Sequence, residues 1–405
     1  MNHIIGYIFK ATRLLLASVF IFSALTKAFD PFGAQIKIEE YLNAFGVGFL
    51  SQTANIICIV QICFESLLGF LLLYKVCIKR TSTIALIVMT LFALLTFYIA
   101  TTGSISDCGC FGEIVKLDNW QTLLKNIFLL LLALITRIST SRSSCEINFK
   151  TISATVLFSG LILWIAIFGY RNLPFIDATN LKTGTNIPEA MYIPENAPRD
   201  KFKTELHYRN ISTGKVHKFD ESDTTWWDDS KWEFVNSRSI LIEKGFKPKI
   251  ENFKIFDQNN EVTDSLLRLE NLLVLVIRNY NAITPESTNA LKSAINYAHD
   301  NNLNCLLLTS DPNVEMYSTL RLPRFRIDAT TLKTLLRTNT GALFLNKGVI
   351  EMKWSINNLP DFDNFNSNLK RFVQQHSAHR EVFPYILIVI FIVAIAVSHK
   401  YIANK

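Results

Sequence analysis

Two cysteines separated by a single glycine have the spacing for thiol chemistry. Cys108 and Cys110 lie in Asp107-Cys108-Gly109-Cys110-Phe111-Gly112, between two long apolar runs. In an extended chain, Cα atoms two residues apart are separated by about 7 Å, so a Cys108–Cys110 disulfide requires a turn, which Gly109 permits. So small a ring is strained, and strained disulfides are readily reduced and exchanged. The motif therefore predicts thiol redox chemistry at a membrane surface.

Two other interpretations of the pair stay open. The cysteines could be unpaired thiols in a tight turn, or half of a metal site, although zinc takes about four ligands and no histidine lies near them in the sequence. The remaining cysteines are too few and too scattered for a disulfide framework. Cys145 is expected to be a free thiol, and Cys305 a small buried residue of a strand.

Charged residues within apolar runs are a second candidate site. Glu65 lies in the second apolar run, and a carboxylate at bilayer depth suggests a function. Gln61 lies one turn before it, while Ser23 and Lys27 form a similar pair near the end of the first run. A Lys27–Glu65 contact would neutralise both charges. Glu65 could act as a proton-carrying or quinone-adjacent group, or the pair could serve only to fix the helix register.

The composition is that of a membrane protein. The 405 residues are 49% hydrophobic, with a mean hydropathy of +0.23. The net charge of +7 does not indicate a nucleic-acid partner, because membrane proteins carry Lys and Arg in short loops. Six spans are predicted from the apolar runs: 4–29, 54–74, 83–100, 123–135, 152–168 and 383–397.

Loop charges predict the orientation of these spans. Basic residues predicted to be cytoplasmic are Lys75, Lys79, Arg80, Arg137, Arg142, Lys150, Lys400 and Lys405. Acidic residues predicted to lie outside are Asp30, Glu39, Glu40, Asp107, Glu113 and Asp118. Both termini would then be cytoplasmic, and the Cys108–Cys110 loop would face outward, where disulfides persist.

The polar block between the fifth and sixth spans predicts an outer domain. A linker rich in proline leads to a predicted hairpin of residues 205–211 with 215–219. Three tryptophans follow it, Trp226, Trp227 and Trp232. We favour packing inside a small β unit over a role in binding for these side chains. From about residue 245 the order is strand, helix, strand, helix, hairpin, helix, which resembles a thioredoxin-like fold. The redox cysteines of that fold would lie at 279–285, which contains none, so this domain is predicted to be catalytically silent.

Several motifs resemble the DoxX and MauE families of four-helix membrane proteins. The resemblance covers about residues 5–138, and its elements are Ser23–Gly33, Lys37–Leu42, Glu65 with Gly69, and most specifically Asp107–Gly112. It implies a redox-associated inner-membrane protein and, for MauE, maturation of the disulfide-rich small subunit of methylamine dehydrogenase. The remainder is similar to long Bacteroidetes-type members with a degenerate thioredoxin-like outer domain.

The expected fold is therefore membrane α-helical, with two further transmembrane helices flanking an extracytoplasmic α/β thioredoxin-like domain. The predicted parts are a DoxX/MauE-like four-helix domain (1–139), a fifth transmembrane helix (140–171), a linker with a small β unit (172–244), a degenerate thioredoxin-like domain (245–380), and a sixth helix with a cytoplasmic tail (381–405). The chain would be a multi-pass protein of a bacterial inner membrane with residues 172–380 in the periplasm.

The predicted function is thiol–disulfide or electron transfer that supports disulfide formation or maturation of extracytoplasmic proteins. The candidate residues are Cys108, Cys110, Glu65 and Lys27. A quinone is compatible as acceptor, and a cysteine-containing client as partner. The chain has no recognisable soluble-enzyme active site. A non-enzymatic scaffold whose outer domain binds a partner is the alternative, and a transporter is the weakest interpretation.

Overall fold

The structure, a computed structural model, describes most of the chain. It covers residues 2–105, 109, 112, 117–141, 143–145, 147–280, 283–311, 320–365 and 367–403, and for 2–5, 377–387 and 401–403 it describes the backbone alone. Cys108 and Cys110 lie outside the described residues. Two compact units are present: residues 1–185 with 254–405, and residues 186–253.

The first unit begins with a helical bundle. Five of its helical segments are long and apolar enough to cross a membrane, as in a multi-pass membrane protein: Gly6–Phe29, Gly48–Leu73, Ile78–Thr102, Asn119–Ser139 and Phe149–Arg171. The helices are α1 (Asn2–Phe29), α2 (Pro31–Ala44), α3 (Ala54–Leu73, after the 3₁₀ turn Gly48–Thr53), α4 (Ile78–Thr102), α5 (Asn119–Ser139) and α6 (Phe149–Arg171).

Close packing of α1 against α3 centres on a glycine. A Cβ atom added to Gly69 would lie 2.7 Å from Cγ1 of Ile21 and 3.2 Å from the carbonyl oxygen of Ala17. Small residues allow membrane helices to approach in this way. Any larger residue at position 69 would force α1 and α3 apart.

Helix α2 was not predicted; the sequence was interpreted there as an outer loop. Asp30 caps its first turn, because the Asp30 Oδ1 atom accepts a hydrogen bond of 2.8 Å from the backbone N–H of Gly33. Pro31 occupies the first turn, where its missing N–H costs nothing. An Asp-Pro pair is a recognised helix start, so the signal was present in the sequence.

The second unit contains a short helix and a small sheet. They are α7 (Ile187–Met191), β1 (Lys201–Asn210), β2 (Val216–Asp220) and β3 (Trp232–Glu243), with the strands ordered β2-β1-β3 and all antiparallel. The predicted hairpin is β1–β2 and is confirmed. Trp226 stacks on Tyr208 with ring centroids 5.2 Å apart, and Trp232 meets Phe219 edge-on at 4.8 Å. Two of the three tryptophans therefore pack within the unit, while Trp227 is exposed.

The rest of the first unit is an α/β domain. Its elements are β4 (Ile255–Asp257), β5 (Asn260–Glu261), α8 (Thr263–Leu267), β6 (Leu272–Ile277), α9 (Pro285–Asp300), β7 (Asn304–Thr309), β8 (Arg324–Ile327), α10 (Ala329–Leu335), β9 (Thr340–Asn346), β10 (Val349–Ser355) and α11 (Leu369–Ala403). The strand order is β10-β9-β6-β7-β8-β4-β5, with β6, β7 and β8 parallel and the other neighbours antiparallel. Every residue of β6 is buried, as its continuous apolar sequence predicts.

The C-terminal helix differs from the prediction of two separate helices. Residues 369–403 form one helix, in which Ile388–Lys400 is a shorter apolar stretch. Phe391 packs edge-on against Phe158 of α6 at 5.8 Å, and the hydroxyl groups of Ser398 and Tyr74 lie 2.7 Å apart. The final helix thus joins the bundle core, and a sixth crossing of the membrane stays a prediction.

Candidate functional site in the helical bundle

A buried ion pair forms the polar centre of the bundle. The Lys27 Nζ atom lies 2.9 Å from Oε2 and 3.1 Å from Oε1 of Glu65, and the two side chains are 5% and 3% exposed. Gln61 donates to Glu65 Oε1 at 2.9 Å, and Lys27 also donates to the hydroxyl of Ser23 at 2.7 Å. The structure therefore brings together all four residues that the sequence analysis grouped.

The ion pair borders an apolar cavity of about 530 Å³. Helices α1, α2, α3, α4 and α5 all contribute to its wall. The polar side chains of the wall are Ser23, Lys27, Lys37, Tyr41, Gln61, Glu65, Lys125 and Asn126, and the apolar majority includes Phe20, Ile38, Phe64, Met89 and Phe92. A mostly apolar cavity with a few converging polar groups is the usual form of a small-molecule site.

Gly109, the residue between the two cysteines, also lines this cavity. Its φ of +60° lies in the left-handed region that glycine adopts without cost. A Cβ atom on Gly109 would lie 2.8 Å from Cγ of Lys37, so the Gly109 backbone rests directly against the stem of that lysine. Sequence reasoning missed Lys37, because α2 was interpreted as a loop.

Helix α2 also contacts the α/β domain. The Arg337 Nε atom lies 3.5 Å from Oδ2 of Asp30, and both side chains are buried. The Arg278 guanidinium stacks over the ring of Phe32 at 4.3 Å, and burial lowers the pKa of Arg278 to about 10, which leaves it charged at neutral pH. Arg278, directly after β6, and Arg337, shortly before β9, therefore both contact the N-terminal end of α2.

The α/β domain carries one cysteine among its described residues. Cys305 is a free thiol in β7, and burial raises its pKa to about 12. A thiol with so high a pKa has almost no thiolate at neutral pH and is a poor nucleophile. The prediction that Cys305 is a structural residue agrees with this environment.

Cys145 is not the free thiol that was predicted. It forms a disulfide with Cys77, with Cα atoms 4.0 Å apart. The prediction was wrong because the α3–α4 turn and the α5–α6 loop, which are 68 residues apart in sequence, lie at the same end of the bundle. Long-range proximity of this kind leaves no local signal in the sequence.

Comparisons with known proteins found matches to parts of the chain. Protein TlpB of Flavobacterium psychrophilum is 24% identical over 163 residues, which is 40% of this chain and 44% of that protein. The chain thus spans less than half the length of this relative. No solved structure matches. Residues 5–139 match the family model of the methylamine utilisation protein MauE, so the helical bundle is similar to MauE.

Proposed function

We propose that this membrane protein transfers electrons from extracytoplasmic thiols to an acceptor in the membrane, and so supports disulfide formation or maturation of extracytoplasmic proteins. The observation that carries the proposal is the cavity that includes both Gly109 and the Lys27–Glu65 pair in its wall. The likeness of residues 5–139 to MauE supports a redox-associated function in a membrane.

Cys108 and Cys110 are the exchanging couple in this proposal. A thiolate of the client attacks the Cys108–Cys110 disulfide, and a second client thiolate then resolves the mixed disulfide. The client gains one disulfide, and the couple is left as two thiols. Re-forming the Cys108–Cys110 bond releases two electrons and two protons, which the acceptor must take.

A quinone suits the cavity by its chemistry. Bound there, it would accept two electrons and two protons, and its apolar ring and tail match the apolar wall. Lys27 and Gln61 would present N–H donors to its carbonyl oxygens, while Glu65 would hold a proton at a carboxylate oxygen. Because Gly109 is bonded to both cysteines in sequence, the thiol couple would stay beside the acceptor.

Serine substitutions of the couple test the proposal in cells. We expect Cys108→Ser and Cys110→Ser each to abolish client oxidation without reducing membrane abundance, because one remaining thiol cannot complete the exchange. Each single variant can form a mixed disulfide only when its remaining thiolate attacks a disulfide of an already oxidised client, which releases one client thiol. Cys305→Ser is the matched control, and it should cost at most a modest packing penalty.

The redox state of the native couple provides the second measurement. Alkylation with a mass tag after acid quenching should find Cys108 and Cys110 cycling between disulfide and dithiol. If both serine variants oxidise clients as the native chain does, and the native pair is always reduced, the electron-transfer proposal is wrong. A scaffold whose outer domain binds a partner would then be the better explanation.

A further inference from the structure

The Cys77–Cys145 disulfide lies at the opposite end of the bundle from Gly109. Cys77 immediately precedes α4, and Gly109 follows the end of that helix. The 25 residues of α4 correspond to a length of about 37 Å at the helical rise, which exceeds a hydrocarbon core of about 30 Å. The disulfide and the end of α4 that precedes Gly109 in sequence are therefore separated by about the thickness of a membrane.

The environment of the bond differs at its two sulfur atoms. Cys145 is exposed in the α5–α6 loop, so an external thiolate can reach it, whereas Cys77 is half-buried. Cys77 is the N-cap residue of α4, and no acidic residue occupies the first turn of that helix. A helix N-terminus and nearby cations stabilise a thiolate, and Lys75, Lys79 and Arg80 flank this position in sequence. Cys77 is thus the better leaving group of the two.

Contacts independent of the disulfide hold the two cysteine-bearing segments together. The hydroxyl groups of Ser82 and Thr140 lie 2.9 Å apart, and Arg137 donates a hydrogen bond of 2.8 Å to the hydroxyl of Thr83. On the other side of the turn, buried Arg13 donates to the carbonyl oxygen of Leu73 at 2.7 Å. Because these bonds do not involve sulfur, the two thiols would remain neighbours after reduction.

We propose that Cys77 and Cys145 form a second, reversible thiol–disulfide couple, which exchanges with low-molecular-weight thiols on the membrane side opposite Gly109. A thiolate of the small molecule attacks Cys145 Sγ, a new sulfur–sulfur bond forms there, and Cys77 Sγ leaves with the bonding electron pair. A second small-molecule thiolate then displaces Cys145. The two small thiols end as one disulfide, and the protein gains two electrons and two protons as a dithiol.

The test uses the full chain in detergent micelles and mixtures of reduced and oxidised glutathione. In the Cys108→Ser/Cys110→Ser background, Cys77 and Cys145 should gain and lose a maleimide mass tag together, as one two-electron transition. Peptide mapping assigns the tags, and Cys305 serves as an internal reference that is independent of the glutathione ratio. The same mapping is repeated on the native chain, so that the result does not depend on whether the Cys108→Ser/Cys110→Ser variant folds.

Two further variants test the assigned order of attack. In Cys77→Ser the glutathione adduct should accumulate on exposed Cys145, because no second cysteine displaces it. In Cys145→Ser the half-buried Cys77 should acquire far less adduct. Any of three results would overturn the proposal. Cys77 and Cys145 could stay reduced in the most oxidising mixture, their disulfide could survive excess reduced glutathione, or the two variants could acquire equal amounts of adduct. None of these outcomes depends on Cys108 or Cys110, so the proposed function is tested separately.

Discussion

At the scale of single residues, the Lys27–Glu65 pair combines a high energetic cost with a cavity that could use it. Removing the two charges from water costs several kcal/mol of hydration free energy for each. The attraction between the two ions in close contact returns a similar amount. The contact between them is only 2.9 Å long, and Gln61 and Ser23 supply further hydrogen bonds. The position of this pair on the wall of a cavity is consistent with the function proposed above.

Breaking this pair on one side should destabilise the bundle strongly. For Lys27→Met we expect a loss of roughly 3–5 kcal/mol in the free energy of unfolding, because a buried carboxylate is left without its cation. The double variant Lys27→Met/Glu65→Gln should recover most of that loss, since no charge remains buried. Thermal unfolding in detergent measures both.

The control for this pair is an exposed one. Lys347 and Glu270 lie 2.8 Å apart with side chains 68% and 56% exposed, and Lys347→Met should leave the unfolding midpoint nearly unchanged. If Lys27→Met is as mild as this control, or if the double variant is no better than the single one, the buried pair does not contribute as described.

Some residue contacts could be predicted from the sequence and others could not. Lys27 and Glu65 could be paired because an isolated charge in an apolar run requires a partner, and few candidates exist. Cys77 and Cys145 could not be paired, because a cysteine is stable in many environments and neither position has a local pattern. Lys37 was missed for a third reason: its importance arises from contact with Gly109, which depends on the fold.

At the scale of elements, α2 connects the bundle with the α/β domain. Its residues Lys37, Ile38 and Tyr41 line the cavity, while Glu39 accepts a hydrogen bond of 2.8 Å from Lys333 of α10. Asp30, at its N-terminus, is buried against Arg337. A displacement of α2 would therefore alter both the cavity wall and the contact with the α/β domain.

The strands and helices with continuous periodicity were predicted well. The sequence predicts a strand at 272–280, a helix at 285–301, a strand at 305–310 and a hairpin of 342–344 with 349–353. The structure has β6, α9, β7 and the β9–β10 hairpin within a few residues of these bounds. The short strands β4, β5 and β8 were missed, because two to four residues carry too little pattern to distinguish a strand from a loop. The break expected before the last helix is absent: residues 369–403 contain no glycine, and Pro384 lies within the single helix without ending it.

The segment after α6 is held against β10 by a further ion pair, in which Lys353 is buried and Asp177 is partly buried. The Lys353 Nζ atom donates to Asp177 Oδ2 at 2.7 Å, and Thr179 donates to Asp177 Oδ1 at 2.6 Å. Burial disfavours both charges and lowers the pKa of Lys353. For Asp177 burial acts to raise the pKa, but the Lys353 ammonium and the Thr179 hydrogen bonds outweigh it, and the pKa is lowered.

A depressed Asp177 pKa predicts a defined dependence of stability on pH. The unfolded carboxyl titrates near pH 4, so the stabilisation by Asp177 is complete above that pH and is lost as pH falls through the lower folded pKa. Asp177→Asn should therefore lower the unfolding midpoint at pH 7, and its difference from the native chain should shrink below about pH 4. Melting curves from pH 3 to 8 measure this; a difference that is constant over the whole range would contradict it.

At the scale of the whole molecule, the Cys77–Cys145 bond lies before the start of α4, and Cys108 and Cys110 follow the end of that helix in sequence. Exchange at the Cys108–Cys110 end requires an oxidising compartment if clients are to keep their disulfides. The Cys77–Cys145 end, under the predicted orientation, would face the cytoplasm, where low-molecular-weight thiols favour the dithiol. Under this one orientation, we therefore expect Cys108 and Cys110 to rest as a disulfide and Cys77 and Cys145 to rest as a dithiol.

The orientation can be tested with a fusion reporter that is active only outside the cytoplasm. Fusions after Lys116 or within residues 200–370 should be active, and a fusion after Arg80 should be inactive, because Lys and Arg concentrate in the loops at the Cys77–Cys145 end. Equal abundance of the fusions is checked by immunoblot, so that inactivity is not mistaken for degradation. If the fusion after Arg80 is active and the fusion after Lys116 is inactive, the orientation is the reverse of the predicted one. The Cys77–Cys145 bond would then lie in the oxidising compartment, and Cys108 and Cys110 could not oxidise extracytoplasmic clients.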